Sequence, residues 1–118
     1  YDEPYALPGE LAKAGVKVAF ASFGTQFARN LPYEASQAVP FGLPYDEALK
    51  SVTLNAAEIW GVADQYGSVE KGKVADLIVT DGDPLEVQTQ IKYMFIAGQQ
   101  VELESKHTRL YKKYLARP

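Results

Sequence analysis

Cysteine is absent from this chain of 118 residues, and histidine occurs once, as His107. Without thiols the chain can form no disulfide framework, thiolate metal site or iron–sulfur cluster, and it offers no cysteine nucleophile. A single imidazole also excludes every metal site that takes two or three histidines from this chain. We therefore expect the chain alone to hold no cofactor.

Long hydrophobic runs are missing as well. No apolar stretch approaches the roughly 18 residues of a membrane span, and no signal peptide heads the sequence. Acidic residues outnumber basic ones by 15 to 12, so the charge of −3 gives no general reason to expect nucleic acid as a partner. We expect no membrane association. The sequence does not fix a compartment, although a cytoplasmic location is favoured.

Methionine occurs once, as Met94, and the chain opens with Tyr1. Because translation begins with methionine, we expect a processed product or part of a longer protein. The composition, 47% hydrophobic and 23% charged, is ordinary for a globular domain of this length. An incomplete set of catalytic residues is therefore the expectation.

Hydrophobic spacing predicts a helix, a strand, three helices, a group of strands and a last helix. A closing glycine bounds the first helix, residues 8–15, and the alternating run over residues 16–21 predicts a strand buried on at least one face. The third of the central helices is short, with Thr53 or Asn55 as its cap and Trp60, an expected core anchor, at its end. The remaining elements are helices over 31–41, 44–52 and 105–115, and strands over 75–80 and 91–97, with a turn at Gly98 and Gln99 leading into Val101.

A polar loop, residues 22–30, follows the carboxyl end of the first predicted strand and precedes a helix. Ligands bind at this position in parallel α/β folds. Its candidate substrate-contacting residues are Thr25, Gln26, Arg29 and Asn30. Arg29 can clamp a carboxylate or phosphate, and Asn30 can orient a carbonyl. The structural alternative is that Asn30 caps the next helix while Arg29 pairs with a helix carboxylate.

Other polar features favour structural roles. Asp81 and Asp83 flank Gly82 as in a turn, and the remaining ligands of a Ca²⁺ loop are absent. His107 is expected to be a surface or core imidazole rather than a metal ligand.

The charge of the chain is divided between two regions. Residues 1–104, the acidic body, carry 7 basic and 15 acidic side chains, a balance of −8. Residues 105–118, the basic tail, carry five basic and no acidic side chains: Lys106, Arg109, Lys112, Lys113 and Arg117. We expect this tail to dock through Leu110, Tyr111, Tyr114 and Leu115 on the acidic body of its own chain or of a sister subunit, in preference to nucleic acid.

Two stretches carry a resemblance to a known family. Residues 67–79, GSVEKGKVADLIV, resemble the segment of the metal-dependent amidohydrolase superfamily that leads from the catalytic barrel into a β-sandwich. Residues 29–35, RNLPYEA, are similar to its imidazolonepropionase-like branch. Residues 48–61 resemble the last helices of the family, and residues 91–101 resemble its closing strands.

The resemblance implies an α/β fold comprising the C-terminal part of a TIM-type (β/α)8 barrel and the C-terminal strands of the amidohydrolase β-sandwich. Residues 1–61 would then be the last barrel strand and the following helices, residues 62–104 sandwich strands, and residues 105–118 a basic C-terminal helix. A complete member holds a divalent metal, with zinc expected, on histidines that lie earlier in the sequence. The expected partners are therefore the missing N-terminal part or a second copy of the chain.

One position departs from the family pattern. Members usually place an Asp at the end of the last barrel strand, where it binds metal and acts as general base. Here we place Gly24 or a neighbour at that position, and no Asp lies between Asp2 and Asp46. We therefore assign no catalytic residue and no metal ligand to this chain.

The sequence thus predicts a fragment of a hydrolase that acts on C–N bonds of an amide, cyclic amide or peptide through metal-activated water, inactive as this chain alone. The alternative is a non-catalytic structural or interaction domain derived from such an enzyme.

Overall fold

A computed structural model describes residues 3–117, apart from the side chains of Glu3 and Lys106. Helices fill the first half, a three-stranded antiparallel sheet follows, and a helix ends the chain. The elements are α1 (Glu3–Lys13), a 3₁₀ helix (Thr25–Asn30), α2 (Leu31–Ala38), α3 (Tyr45–Ser51), α4 (Leu54–Ile59), β1 (Leu77–Thr80), β2 (Ile91–Ile96), β3 (Gln99–Val101) and α5 (Lys106–Leu115).

Helix α1 starts five residues before its predicted beginning and includes Pro8. Its end follows the prediction, because Gly15 adopts a left-handed conformation with φ of 81°. The amide of Gly15 donates to the carbonyl of Ala12 and that of Val16 to the carbonyl of Leu11, both at 3.0 Å. This pair of bonds is the Schellman arrangement, which satisfies carbonyls at a helix end.

The strand predicted over residues 16–21 is wrong for this structure. These residues form no regular element, and the sheet in the described residues consists of β1, β2 and β3. The segment is instead held against α3 and α4: the amide of Phe20 donates to the carbonyl of Ser51 at 3.2 Å, and Asn55 Nδ2 donates to the carbonyl of Val18 at 3.1 Å. A strand needs a neighbouring strand to complete its hydrogen bonds, and in the part of the chain that the structure describes none lies beside this segment.

Helices α2 and α3 form at their predicted sites because proline and acidic residues start them. Pro32 occupies the first turn of α2, and Pro44 is the N-cap of α3, followed by Asp46 and Glu47 in its first turn. Helix α2 ends at Ala38, three residues before its predicted end. The core between these helices is small: Ala35, Ala38, Leu43, Ala48 and, from beyond β1, Leu85.

The structure corrects two expectations at α4. Asn55 is buried and bonds Val18, and neither Asn55 nor Thr53 caps the helix by its side chain. Trp60, expected in the core, is 83% exposed, because α4 ends at Ile59 and nothing in residues 3–117 covers the indole.

The sheet keeps both predicted long strands, shortened by one or two residues at their ends. Strand β1 pairs antiparallel with β2, with Leu77 opposite Phe95, and β2 pairs antiparallel with β3. The turn between β2 and β3 is Ala97-Gly98, one residue earlier than predicted, and both residues have positive φ, 51° and 79°. That is the geometry of a tight two-residue hairpin.

Asp81 and Asp83 serve turns, as predicted. Asp81 Oδ1 accepts from the amide of Gln90 at 2.8 Å, and Asp83 Oδ1 accepts from the amide of Leu85 at 2.9 Å and from Tyr45 Oη at 2.6 Å. The last bond ties α3 to the turn after β1. Together with burial and the charge of Asp83, it raises the pKa of Tyr45 to about 12.

The turn over residues 67–73 joins the helical part to the sheet. Gly67 has φ of 97° and packs so closely on α4 that a Cβ would lie 2.7 Å from Cβ of Ala57. Lys73 Nζ reaches Ser68 Oγ at 2.6 Å and Glu70 Oε2 at 2.9 Å. These contacts lower the pKa of the Glu70 carboxyl, first through the hydrogen bond from Lys73 and then through that from Ser68.

Helix α5 begins with a capping box, in which Ser105 Oγ accepts from the amide of Thr108 and Thr108 Oγ1 accepts from the amide of Ser105. His107 lies exposed in its first turn. The predicted docking of α5 on its own acidic body is not observed, since Leu110, Tyr111, Tyr114 and Leu115 are all exposed. None of the described helices is long and apolar enough to cross a bilayer.

Candidate functional site

The polar loop is a bend followed by the 3₁₀ helix Thr25–Asn30, which runs directly into α2. None of the residues in this 3₁₀ helix is buried. The sequence predicted an irregular loop here, and local i to i+3 bonding organises its second half instead. All four candidate residues, Thr25, Gln26, Arg29 and Asn30, are therefore exposed on one short 3₁₀ helix.

The three-residue repeat of the 3₁₀ helix decides which side chains share a face. Gln26 and Arg29 are three residues apart and lie on the same side. Asn30 shares its side with Phe27, which is 54% exposed, whereas Thr25 aligns with Ala28. The structure thus brings together Gln26 and Arg29, an amide beside a guanidinium, and separates Thr25 and Asn30 from them.

The structural alternative for these residues is not observed. Asn30 precedes α2 but makes no capping hydrogen bond through its side chain. Arg29 forms no ion pair with any carboxylate among the side chains that the structure describes. Both side chains are therefore free to meet a ligand: the guanidinium can form paired hydrogen bonds to a carboxylate, and the amide can orient a carbonyl.

Phe23 and Gly24 form the entrance to this helix. Gly24 has φ of −170° and ψ of 146°, an extended conformation open to any residue, and the nearest atom to a Cβ there would be the carbonyl oxygen of Ser22 at 4.0 Å. Phe23 has φ of 51°, which is rare for a bulky residue, and its side chain is 99% exposed. The one sequence signal for this left-handed backbone at Phe23 is the neighbouring Gly24.

The residues present do not fit a catalytic metal. The polar loop offers hydroxyl, amide and guanidinium groups but no carboxylate or imidazole, and Arg29 adds a positive charge that repels a cation. Within the described part of the chain, no three His, Asp or Glu side chains form a group that could hold a metal ion. The described residues therefore offer no group that would hold a catalytic metal.

Asn55 contacts the segment that leads into the polar loop. Its Nδ2 donates to the carbonyl of Val18 and lies 3.5 Å from Glu47 Oε2, while Lys17 forms an ion pair with Glu58 of α4. The segment that leads into the loop is thereby fixed to α3 and α4. The sequence offered Thr53 or Asn55 as the cap of α4, whereas Asn55 lies buried inside that helix.

The groups with clearly shifted pKa values in the described residues are Tyr45 and Glu70, and both lie outside the polar loop. Each shift has a structural cause, because each group bonds a neighbouring element or turn. These shifts therefore mark structural contacts and add no acid or base to the polar loop.

Comparisons with known proteins identify the family. Residues 5–101 match the model of the amidohydrolase family, so the chain belongs to that family. Its predicted likeness to imidazolonepropionases is confirmed: it is 32% identical over 96 residues to the imidazolonepropionase of Flavobacterium johnsoniae, covering 78% of this chain and 23% of that protein.

Solved structures agree. The structure of an amidohydrolase from Thermotoga maritima aligns with a TM-score of 0.75 and 31% identity over 83% of this chain and 26% of that one. A Xaa-Pro dipeptidase with bound methionine in its active site aligns with a TM-score of 0.69 and 28% identity, over 86% of this chain and 25% of that one. The chain thus spans about a quarter of the length of each of these three proteins.

Proposed function

We propose that this chain is the C-terminal portion of a metal-dependent amidohydrolase whose complete form hydrolyses a C–N bond. The observation that carries the proposal is the family match over residues 5–101. This match covers most of the chain, and the chain itself covers only about a quarter of the relatives named above. The relatives named above act as imidazolonepropionase and Xaa-Pro dipeptidase. The substrate class proposed here is therefore an amide, a cyclic amide or a peptide.

In this proposal residues 1–61 form the last strand and helices of a (β/α)8 barrel, and residues 62–104 form strands of the β-sandwich. The conformation of residues 16–20 supports it. They carry alternating apolar side chains and lie against α3 and α4, yet within the described residues no strand lies beside them. A barrel would supply strands on both sides and complete those hydrogen bonds.

The contribution of this chain would be to bind and orient the substrate. Arg29 and Gln26, on one side of the 3₁₀ helix, would take a substrate carboxylate, and Asn30 would hold a carbonyl oxygen. A divalent metal, zinc by expectation, would activate the water on ligands from the remainder of the protein. On this chain alone we propose no activity.

A second candidate is a non-catalytic interaction domain derived from an amidohydrolase. The observation that favours it is that the polar loop has no metal-binding side chain, since Gly24 stands where the family usually has an aspartate. In that case Arg29 and Asn30 would have no role in chemistry, and their replacement would change only surface properties.

The DNA upstream of the codon for Tyr1 separates the two candidates. The enzyme proposal expects an open reading frame that continues upstream in frame and encodes a His-x-His segment. A start codon close to Tyr1, with no such segment, would contradict that proposal and favour the interaction domain.

A further inference from the structure

Phe23, in the bend before the 3₁₀ helix, combines a strained backbone with an uncovered apolar side chain. Its φ of 51° lies in the left-handed region, which bulky residues rarely adopt. The residue is 99% exposed, so its phenyl ring has no cover among the residues that the structure describes. Both features are unfavourable for folding, and packing within residues 3–117 accounts for neither.

The local contacts of the bend do not involve the ring. Ser22 Oγ donates to the carbonyl of Gly24 at 2.9 Å, a bond that spans Phe23, and Gly24 then serves as the N-cap of the 3₁₀ helix. A glycine at position 23 would adopt the same backbone without strain. A phenyl ring at this position is therefore not required by the fold of the described residues.

Ala97 provides the contrast, because it has the same φ of 51°. It lies in the tight turn between β2 and β3, which needs positive φ, and its amide donates to Asp76 Oδ1 at 2.8 Å. The strain at Ala97 thus has a structural cause, whereas that at Phe23 has none in the described residues. Strained residues concentrate at active sites and ligand clamps, where function retains them.

The position of Phe23 in the chain is that of a ligand-contacting residue. It follows residues 16–20, which would form the last strand of the proposed barrel, and lies past the carboxyl end of that strand, where barrel ligands bind. Chain length limits the distance from Cα of Phe23 to Cα of Gln26 to about 11 Å, and the 3₁₀ rise places Arg29 about 6 Å further on. A ligand of dipeptide size can therefore contact both the ring and the guanidinium.

We propose that Phe23 contacts the substrate and selects for an apolar group on it, while Gln26 and Arg29 bind the carboxylate of the same molecule. This role rests on the proposed function and narrows its substrate class to an amide or peptide that carries both a free carboxylate and an apolar side chain or ring. Contact with such a group removes the phenyl ring from water, and an aromatic side chain provides a large apolar surface for it.

Hydrolysis of matched dipeptides by the complete protein, expressed from the reading frame that extends upstream of Tyr1, tests this role. The two substrates keep a free carboxylate and differ in one residue, leucine or glutamine, at each position in turn. We expect a preference for leucine in kcat/KM that falls at least about tenfold in Phe23→Ala. Phe23→Leu should retain most of the preference, because it keeps an apolar side chain.

Trp60→Ala is the control, because Trp60 is an aromatic residue outside the polar loop and is 83% exposed. This variant should leave the preference unchanged. No preference for leucine in the unaltered protein, or a preference that Phe23→Ala retains, overturns the role of Phe23 while the proposed function stands. A complete protein that hydrolyses no amide, lactam or peptide contradicts the proposed function, and the role of Phe23 with it.

Thermal unfolding of this chain tests the strain separately. Phe23→Gly should raise the midpoint of unfolding, because glycine adopts a φ of 51° without strain and the exposed ring contributes no packing. Ala97→Gly relieves the same φ and should also raise the midpoint, but it should not alter the substrate preference of the complete protein. A lower midpoint for Phe23→Gly would show that the ring packs within this chain, which overturns the role proposed for it.

Discussion

Gly67 is required both by its backbone conformation and by its close packing on α4. The left-handed φ of 97° disfavours any side chain with a Cβ, and the contact with α4 leaves no room for one, since Cα of Leu54 lies at 3.0 Å and Cβ of Ala57 at 2.7 Å from its ideal position. Gly67→Ala should therefore lower the free energy of unfolding by about 2 to 4 kcal/mol, the sum of a left-handed alanine and an overpacked contact. Urea unfolding measures it.

Gly72 supplies the control for that experiment. Its φ of 92° is nearly the same, but a Cβ there would meet no atom within 4 Å. Gly72→Ala should cost only the conformational part, about 1 kcal/mol. Equal losses in the two variants would show that the close contact between Gly67 and α4 does not contribute.

Tyr45 links α3 to the turn after β1, and its ionisation should make the stability depend on alkaline pH. Its pKa of about 12 in the folded chain lies above the ordinary 10.0, so the folded state keeps the proton that the unfolded state releases first. This contribution is complete below pH 10 and is lost as the pH rises toward 12. Tyr45→Phe should flatten the fall of the unfolding midpoint across that range, as followed by circular dichroism.

Tyr93→Phe is the comparison for the alkaline titration. Tyr93 lies half-exposed on β2. It does not belong to the hydrogen bond between Tyr45 of α3 and Asp83. Its replacement removes one phenol hydroxyl and leaves the bond between Tyr45 and Asp83 intact. If Tyr45→Phe and Tyr93→Phe titrate alike, the bond to Asp83 does not control the slope.

Among the elements, residues 16–20 show most clearly what local sequence can and cannot predict. The alternation of Val16, Val18 and Phe20 predicts a segment with one apolar face. The structure agrees in so far as Phe20 packs against the core. Whether such a segment becomes a strand depends on a neighbouring strand that alternation cannot supply. Elements with complete local signals formed at or close to their predicted places: α3 begins after Pro44, and the hairpin turn at Ala97-Gly98 lies one residue from the predicted turn.

The attachment of this segment to α4 gives a prediction at the same scale. Asn55→Ala removes the donor to the carbonyl of Val18 and leaves a partly buried acceptor unpaired, which should cost about 1 to 2 kcal/mol. Asn30→Ala removes an exposed amide without a capping bond and should change stability by less than about 0.5 kcal/mol. Thermal unfolding of both variants decides it, and an Asn55→Ala variant as stable as Asn30→Ala would contradict the anchoring role.

At the scale of the whole molecule, the family could be read from the sequence more fully than the site. The turn at residues 67–73 is local and carries the resemblance, with Gly67 required by its packing and Lys73 bonded to both Ser68 and Glu70. The site is a property of chain segments that meet in space. Arg29 and Asn30 could be named from their position after a predicted strand. That Arg29 forms no ion pair and Asn30 no capping hydrogen bond among the described side chains, and that Asn55 bonds Val18, could be seen only in the structure.

Metal content is the property in which this chain should differ most from complete members of its family. The polar loop has no carboxylate or imidazole, and Gly24 occupies an open, extended position where an aspartate would fit without strain. Purified chain should therefore carry substoichiometric zinc by elemental analysis and hydrolyse no amide, lactam or dipeptide. Gly24→Asp should fold as well as the unaltered chain and still bind no stoichiometric zinc, because a single carboxylate is not a metal site. Stoichiometric zinc in the unaltered chain, with turnover that a chelator abolishes, would show that ligands assemble between chains.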